Sequence, residues 1–100
     1  MRYSIVQMRP KGEITALLWT VGKADGDVIK LTGGGRLPSG ALNAIDKDGV
    51  RVYYKDVLVI PESHPYYNAG LLSAEPTLNH RKIAKMLHKL YNEILKTVNN

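Results

Sequence analysis

The chain has no cysteine and no phenylalanine among its 100 residues. Without cysteine there can be no disulfide framework, thiolate zinc site, iron–sulfur cluster or cysteine nucleophile. Long apolar runs are missing as well. The densest stretches are Ala16–Trp19 and Val57–Ile60, far short of the ~20 residues a membrane helix needs. The apolar run behind Arg2 is interrupted by Gln7 and Arg9, so no signal peptide is expected. There is no Asn-x-Ser/Thr acceptor, and the final Asn99-Asn100 carries no lipidation signal. These absences lead to an expectation of a cytoplasmic protein, in the host cytoplasm if the source is a virus, with no membrane partner.

Acidic residues are scarce. Nine Asp+Glu face 14 Lys+Arg, a formal charge of +5 at pH 7. Excess positive charge favours acidic partners: nucleic acid, or an acidic surface of another protein.

Most catalytic and phosphate-binding motifs fail on spacing. The segment Thr32-Gly33-Gly34-Gly35-Arg36-Leu37-Pro38-Ser39-Gly40 resembles a phosphate loop only in composition. Gly35-x4-Gly40 is followed by Ala41-Leu42 rather than Lys-Ser/Thr, and a dinucleotide fingerprint begun at Gly33 reaches Pro38 where glycine is required. The stretch therefore reads as a connection whose bare amides and Arg36 can meet a partner. No Gly-x-Ser-x-Gly elbow surrounds Ser39. Asp25, Asp27, Asp46 and Asp48 cluster at turns, where aspartate caps its own backbone. His80 and His88 lie about 12 Å apart along a helix, too far for one metal. No catalytic residue, metal or cofactor is assigned, and a non-enzymatic role is expected.

What remains divides by composition into three parts of one domain. Residues 1–60 are rich in Val, Ile, Thr, Tyr and Gly and contain Asp25-Gly26 and Asp48-Gly49, which is strand-and-turn chemistry. Strands are expected over 2–8, 13–22 and 27–32, and as one long strand from Val50 to Ile60. Ile14, Ala16 and Leu18 alternate with Leu17, Trp19 and Val21, so the second strand is apolar on both faces, as in a strand covered on both sides. Residues 61–76 carry Pro61, Pro65, Gly70 and Pro76 and read as an irregular arm.

Residues 77–99 contain neither Gly nor Pro and are predicted to form a helix. Ile83, Leu87, Leu90, Ile94 and Val98 fall within about 80° of arc, flanked by Met86, Tyr91 and Leu95. Arg81, Lys82, Lys85, Lys89 and Lys96 lie opposite, and Glu93 is the only acid from Arg81 onward. Early positive charge opposes the helix macrodipole, and Lys82, Lys85 and Lys89 repel one another at i,i+3 and i,i+4. A face that gives up stability locally is a candidate binding face.

The expected fold is α+β. A twisted antiparallel sheet or partly open barrel of four or five strands carries one long C-terminal amphipathic helix. In the last strand Val50, Val52 and Tyr54 are expected inward and Arg51, Tyr53 and Lys55 outward. A ring between two cations suits base stacking flanked by phosphate contacts. The expected function is nucleic-acid binding, to DNA or RNA, through Arg36, Arg51, Tyr53, Lys55, Arg81, Lys82, Lys85 and Lys89. The alternative is a small interaction module or inhibitor of the kind phages make, docked on an acidic protein surface. His64, Tyr66 and Tyr67 in the irregular arm form a second candidate contact.

Overall fold

The computed structural model describes residues 1–8, 18–67 and 78–98. The expected strand positions Ile14, Ala16 and Leu17, and the arm beyond Tyr67, lie outside the described residues. Seven strands run in chain order: β1 (Arg2–Gln7), β2 (Leu18–Asp25), β3 (Val28–Leu31), β4 (Arg36–Leu37), β5 (Leu42–Ile45), β6 (Arg51–Tyr53) and β7 (Val57–Pro61). Among the described residues one α-helix, α1 (Leu78–Val98), follows. The strands form one sheet in the order β4-β3-β2-β1-β7-β6-β5, antiparallel throughout.

The α+β class and the C-terminal helix are as expected; the count of four or five strands is not. Two local events raise it to seven. The stretch Thr32–Gly40, expected as a connection, contains β4 and the start of a 3-10 turn (Ser39–Ala41), and the residues after it, given no element by the sequence, form β5. The strand expected from Val50 to Ile60 is cut in two by a tight turn at Tyr54-Lys55-Asp56. Neither central residue of that turn is glycine, so the usual sequence signal for such a hairpin is missing.

The connection between β4 and β5 dictates the sheet's shape. These two strands are its opposite edges. Six strand spacings laid flat would separate them by about 29 Å. The link Pro38–Ala41 spans at most about 17 Å even when extended, and Ser39–Ala41 is wound into a 3-10 turn. The sheet must therefore curl toward a barrel until its edges approach each other.

Curling gives the sheet two cores. On the inner face Tyr3 and Ile5 of β1, Ile29 of β3, Leu37 of β4, Tyr53 of β6 and Val59 of β7 meet in one buried cluster. Residues from both ends of the strand order can only meet on the concave side. On the convex side Val6, Met8, Val52, Leu58 and Ile60 are buried under Leu87 and Ile94 of α1. Strands β1 and β7 thus contribute alternate residues to each core, the behaviour of covered central strands. Leu90, Tyr91 and Leu95 flank the helix contact, and Tyr66 and Tyr67 close it from the irregular arm.

Glycine is required at one place in the sheet interior. A Cβ on Gly22 of β2 would sit 2.4 Å from Ile5 Cδ1 and 2.6 Å from Ile29 Cγ2. Removing the side chain lets these two buried isoleucines close over β2, on the concave side where the curl crowds them.

The β6–β7 turn is held from several directions. Tyr54 (φ 54°) and Lys55 (φ 71°) both lie in the left-handed region, which costs a residue with a Cβ about 1–2 kcal/mol. The surrounding hydrogen bonds fix it. Tyr54 N–H donates to the Ala41 carbonyl at 2.9 Å, Asp56 N–H to the Tyr53 carbonyl at 3.2 Å and Met8 N–H to the Asp56 carbonyl at 2.7 Å. Lys55 N–H donates to Asn43 Oδ1 at 2.6 Å. The Tyr91 hydroxyl of α1 donates to the Lys55 carbonyl. Burial, and then the neighbouring Asp56 carboxylate, raise the Tyr91 pKa above the ordinary phenol value.

Three stability outcomes follow from this packing. Leu87→Ala removes a side chain 1 % exposed at the helix–sheet contact and should cost about 2–5 kcal/mol in chemical denaturation. Gly22→Ala overpacks the concave core and should cost about 1–3 kcal/mol. Tyr91→Phe should cost about 0.5–1.5 kcal/mol at neutral pH. Because the raised pKa favours the neutral phenol in the fold, Tyr91's contribution is complete below the unfolded pKa of about 10. It is lost as pH rises through the higher folded value. Tyr91→Phe should accordingly show a flatter stability decline above that pH. An identical alkaline decline in both proteins would place the cause elsewhere.

Candidate nucleic-acid interface

Helix α1 brings three of the predicted lysines together. Lys82, Lys85 and Lys89 are exposed, and so is Lys96. At about 100° per residue the four fall within an arc of about 60°, centred opposite the buried Leu87 and Ile94. The docked helix therefore directs them straight away from the sheet. From Lys82 to Lys96 the stripe runs about 21 Å along the axis. Its first turn contains no acid, and Lys96 occupies the last turn, where positive charge suits the dipole. The sequence had placed Lys96 on this face without including it in the site; its seven-residue spacing from Lys89, and that of Lys89 from Lys82, was the available signal.

Nothing neutralises this stripe among the described residues. Their salt bridge is Lys30 to Asp25, at 3.1 Å on the β2–β3 hairpin. Glu93 is exposed on the edge of the same helix face but makes no ion pair with these lysines. The backbone of Arg81 belongs to α1; its side chain is outside the described residues.

The remaining predicted residues are not part of that stripe. Arg36 is exposed on edge strand β4, opposite Lys30. Lys55 is exposed at the β6–β7 turn, beside the helix flank that bears Tyr91. That flank is about 150° around the helix from the lysine stripe.

The expectation of an outward Arg51-Tyr53-Lys55 strip is corrected. Arg51 and Tyr53 do point away from Val52, as strand alternation requires. The face they point to is the inside of the curl. Tyr53 is 1 % exposed, so its ring has no free face for a base. Arg51 lies over the Tyr3 ring, 5.4 Å from the centroid, and its Nη1 makes a long hydrogen bond of 3.4 Å to the Tyr53 hydroxyl. Lys55 has left the strand for the turn. Tyr54, expected inward, is 55 % exposed at the tip, because the turn ends the alternation one residue earlier.

His64, Tyr66 and Tyr67 occupy consecutive turns after β7. His64 N–H donates to the Pro61 carbonyl at 2.9 Å and Tyr67 N–H to the His64 carbonyl at 3.0 Å. The His64 Nδ1 accepts Tyr66 N–H at 3.0 Å, which puts the neutral ring's proton on Nε2. The His64 and Tyr66 rings meet edge to face at 5.1 Å. His64 and Tyr66, with Asp48, Ser63, Pro65 and Leu90, line an open groove between arm and helix. Tyr66 and Tyr67 are half-buried against the helix-side core, so they hold the arm down while leaving His64 partly accessible.

Among the described residues no three His, Asp or Glu side chains are grouped to hold a metal ion, and no helix is long and apolar enough to cross a membrane. No family model matches the chain, and no curated protein or solved structure matches it.

Proposed function

We propose that the protein binds nucleic acid along its sugar–phosphate backbone through the outer face of α1. The carrying observation is the alignment of exposed Lys82, Lys85, Lys89 and Lys96 opposite the helix's buried face, with no acid paired to them among the described residues. A line of ammonium groups without groove or aromatic platform suits phosphate contacts, which position a protein on nucleic acid and carry no sequence information. Binding on this reading is governed by counterion release and has little sequence preference. With Tyr53 buried, base stacking by the β6 strip is not part of the proposal.

Docking on an acidic protein surface is the second reading. Its specific support is the group of exposed apolar residues near the β5 edge, Leu42, Ile45 and Tyr54, which phosphate binding does not use.

Fluorescence anisotropy with labelled duplex and single-stranded oligonucleotides over a range of salt tests the first reading. Binding should weaken linearly in log–log form and be similar for unrelated sequences. Changing Lys82, Lys85 and Lys89 together to Gln should leave the fold intact or slightly more stable, since like-charge pairs disappear at little cost in helix propensity. It should make the salt slope shallower by about 2–3 for duplex DNA and about 2 for a single strand. An unchanged slope in the folded triple variant would refute the helix-face reading. Retention of one protein from a nuclease-treated lysate, with no oligonucleotide binding, would favour the second.

A further inference from the structure

The corrected position of Arg51 places a guanidinium in a second, unrelated setting. One end of the curl opens as a cleft of about 240 Å³ between the β2–β3 turn and the strands β5 and β6. Arg51, Tyr3 and Tyr53 form its polar end, and Val28, Ile29 and Leu42 supply apolar wall. Arg51 is half-buried. Its Nε is closed to solvent and has no hydrogen-bond partner among the described residues, so its terminal nitrogens are the ones that can meet a ligand in the cleft. No carboxylate there lies within ion-pair distance of it. Apart from the Tyr3 ring face, the long contact to Tyr53 is what its fork engages.

A partly desolvated guanidinium without an anion is costly. The group is also planar, with parallel donors that match a carboxylate edge. The Tyr3 ring covers the guanidinium from one side, its centroid 5.4 Å away. Asp27 lines the same cleft. With one cation and one anion the cleft is close to neutral, so a singly charged ligand is favoured over a phosphate dianion. The volume exceeds the roughly 150 Å³ of a cavity that holds one benzene-sized molecule, enough for a carboxylate on a short hydrocarbon body. Clefts at barrel mouths that join an apolar wall to a few convergent polar groups are common ligand sites.

We propose that this cleft binds a small ionised carboxylic acid, its carboxylate on Arg51 and its apolar body, about the size of a leucine side chain, against Val28, Ile29 and Leu42. The site lies on the concave face of the sheet, and α1 with its lysines covers the convex face, so this inference stands apart from the nucleic-acid reading.

The probe is 4-methylpentanoate, titrated into the isotopically labelled full chain and followed by nuclear magnetic resonance. The Arg51 Nε–H signal and the backbone amides of residues 24–28 and 42 should shift together and saturate, with a dissociation constant below about 10 mM. The uncharged 4-methylpentan-1-ol, with the same carbon skeleton, and inorganic phosphate should bind at least about tenfold more weakly. Arg51→Gln should lose binding by a similar factor. Should that variant fail to fold, Asp27→Asn gives an independent reading at an exposed turn position, and it should tighten 4-methylpentanoate binding. The proposal is overturned by the absence of saturable shifts, by alcohol or phosphate binding as well as the carboxylate, by unchanged affinity in folded Arg51→Gln, or by unchanged or weaker affinity in Asp27→Asn.

Discussion

The short link from Leu37 to Leu42 is the constraint from which the rest of the architecture follows. It ties the first edge of the sheet to the last. A flat seven-stranded sheet cannot satisfy it, so the strands curl, and curling makes an inside. That inside accounts for the apolar residues on the second face of β1 and β7, which the helix alone leaves uncovered. It also accounts for a glycine in the middle of β2, where two isoleucines converge. Arg51 and Tyr53 occupy its polar end. One helix suffices because the sheet covers its other face itself.

Strain at the β6–β7 turn belongs to the same economy of parts. Four side-chain or backbone anchors reach it from outside the hairpin: Met8 just after β1, Ala41 of the 3-10 turn, Asn43 of β5 and Tyr91 of α1. Left-handed residues with bulky side chains persist where the surroundings over-determine them. This turn joins the sheet edge, the helix and the link between the edges at one point. Tyr54 and Lys55 are exposed there not because the segment is loose but because its backbone is held while its side chains are free.

Helix α1 was the most legible element in the sequence. Its apolar repeat and lysine stripe follow from a 3.6-residue period that needs no knowledge of partners, and Leu87 and Ile94 are buried as the period requires. The β-rich first part and the aspartate turn were legible for local reasons too: Asp46 Oδ1 accepts the N–H groups of Asp48 and Val50 at 2.9 and 2.8 Å. The errors came where local pattern depends on distant contacts. Period-two alternation assigned Arg51 and Tyr53 correctly to the face opposite Val52, but alternation carries no information on whether that second face meets water or another part of the sheet. The break at Tyr54 had no glycine or asparagine to mark it, since its conformation is imposed by Ala41, Asn43 and Tyr91. Strands β4 and β5 are two and four residues long, too short for periodicity to register. Asp27, the charged neighbour in the Arg51 cleft, is brought there by strand order alone.

The central position of β1 has a consequence for how the chain is made. Its partners are β2 on one side and β7 on the other, with Tyr3 opposite Pro61. The first of the described strands in chain order thus lies at the middle of the finished sheet, and one of its two neighbours, β7, is the last of them. Until residues near Pro61 emerge, a strand carrying Tyr3, Ile5 and Val6 has an open edge available to other chains. Pairing at this separation in sequence is slow, because a long loop must close before any contact rewards it. During that interval the growing protein is most exposed to association with its own copies, and the arrival of β7 ends that exposure by turning an edge strand into the centre of the sheet.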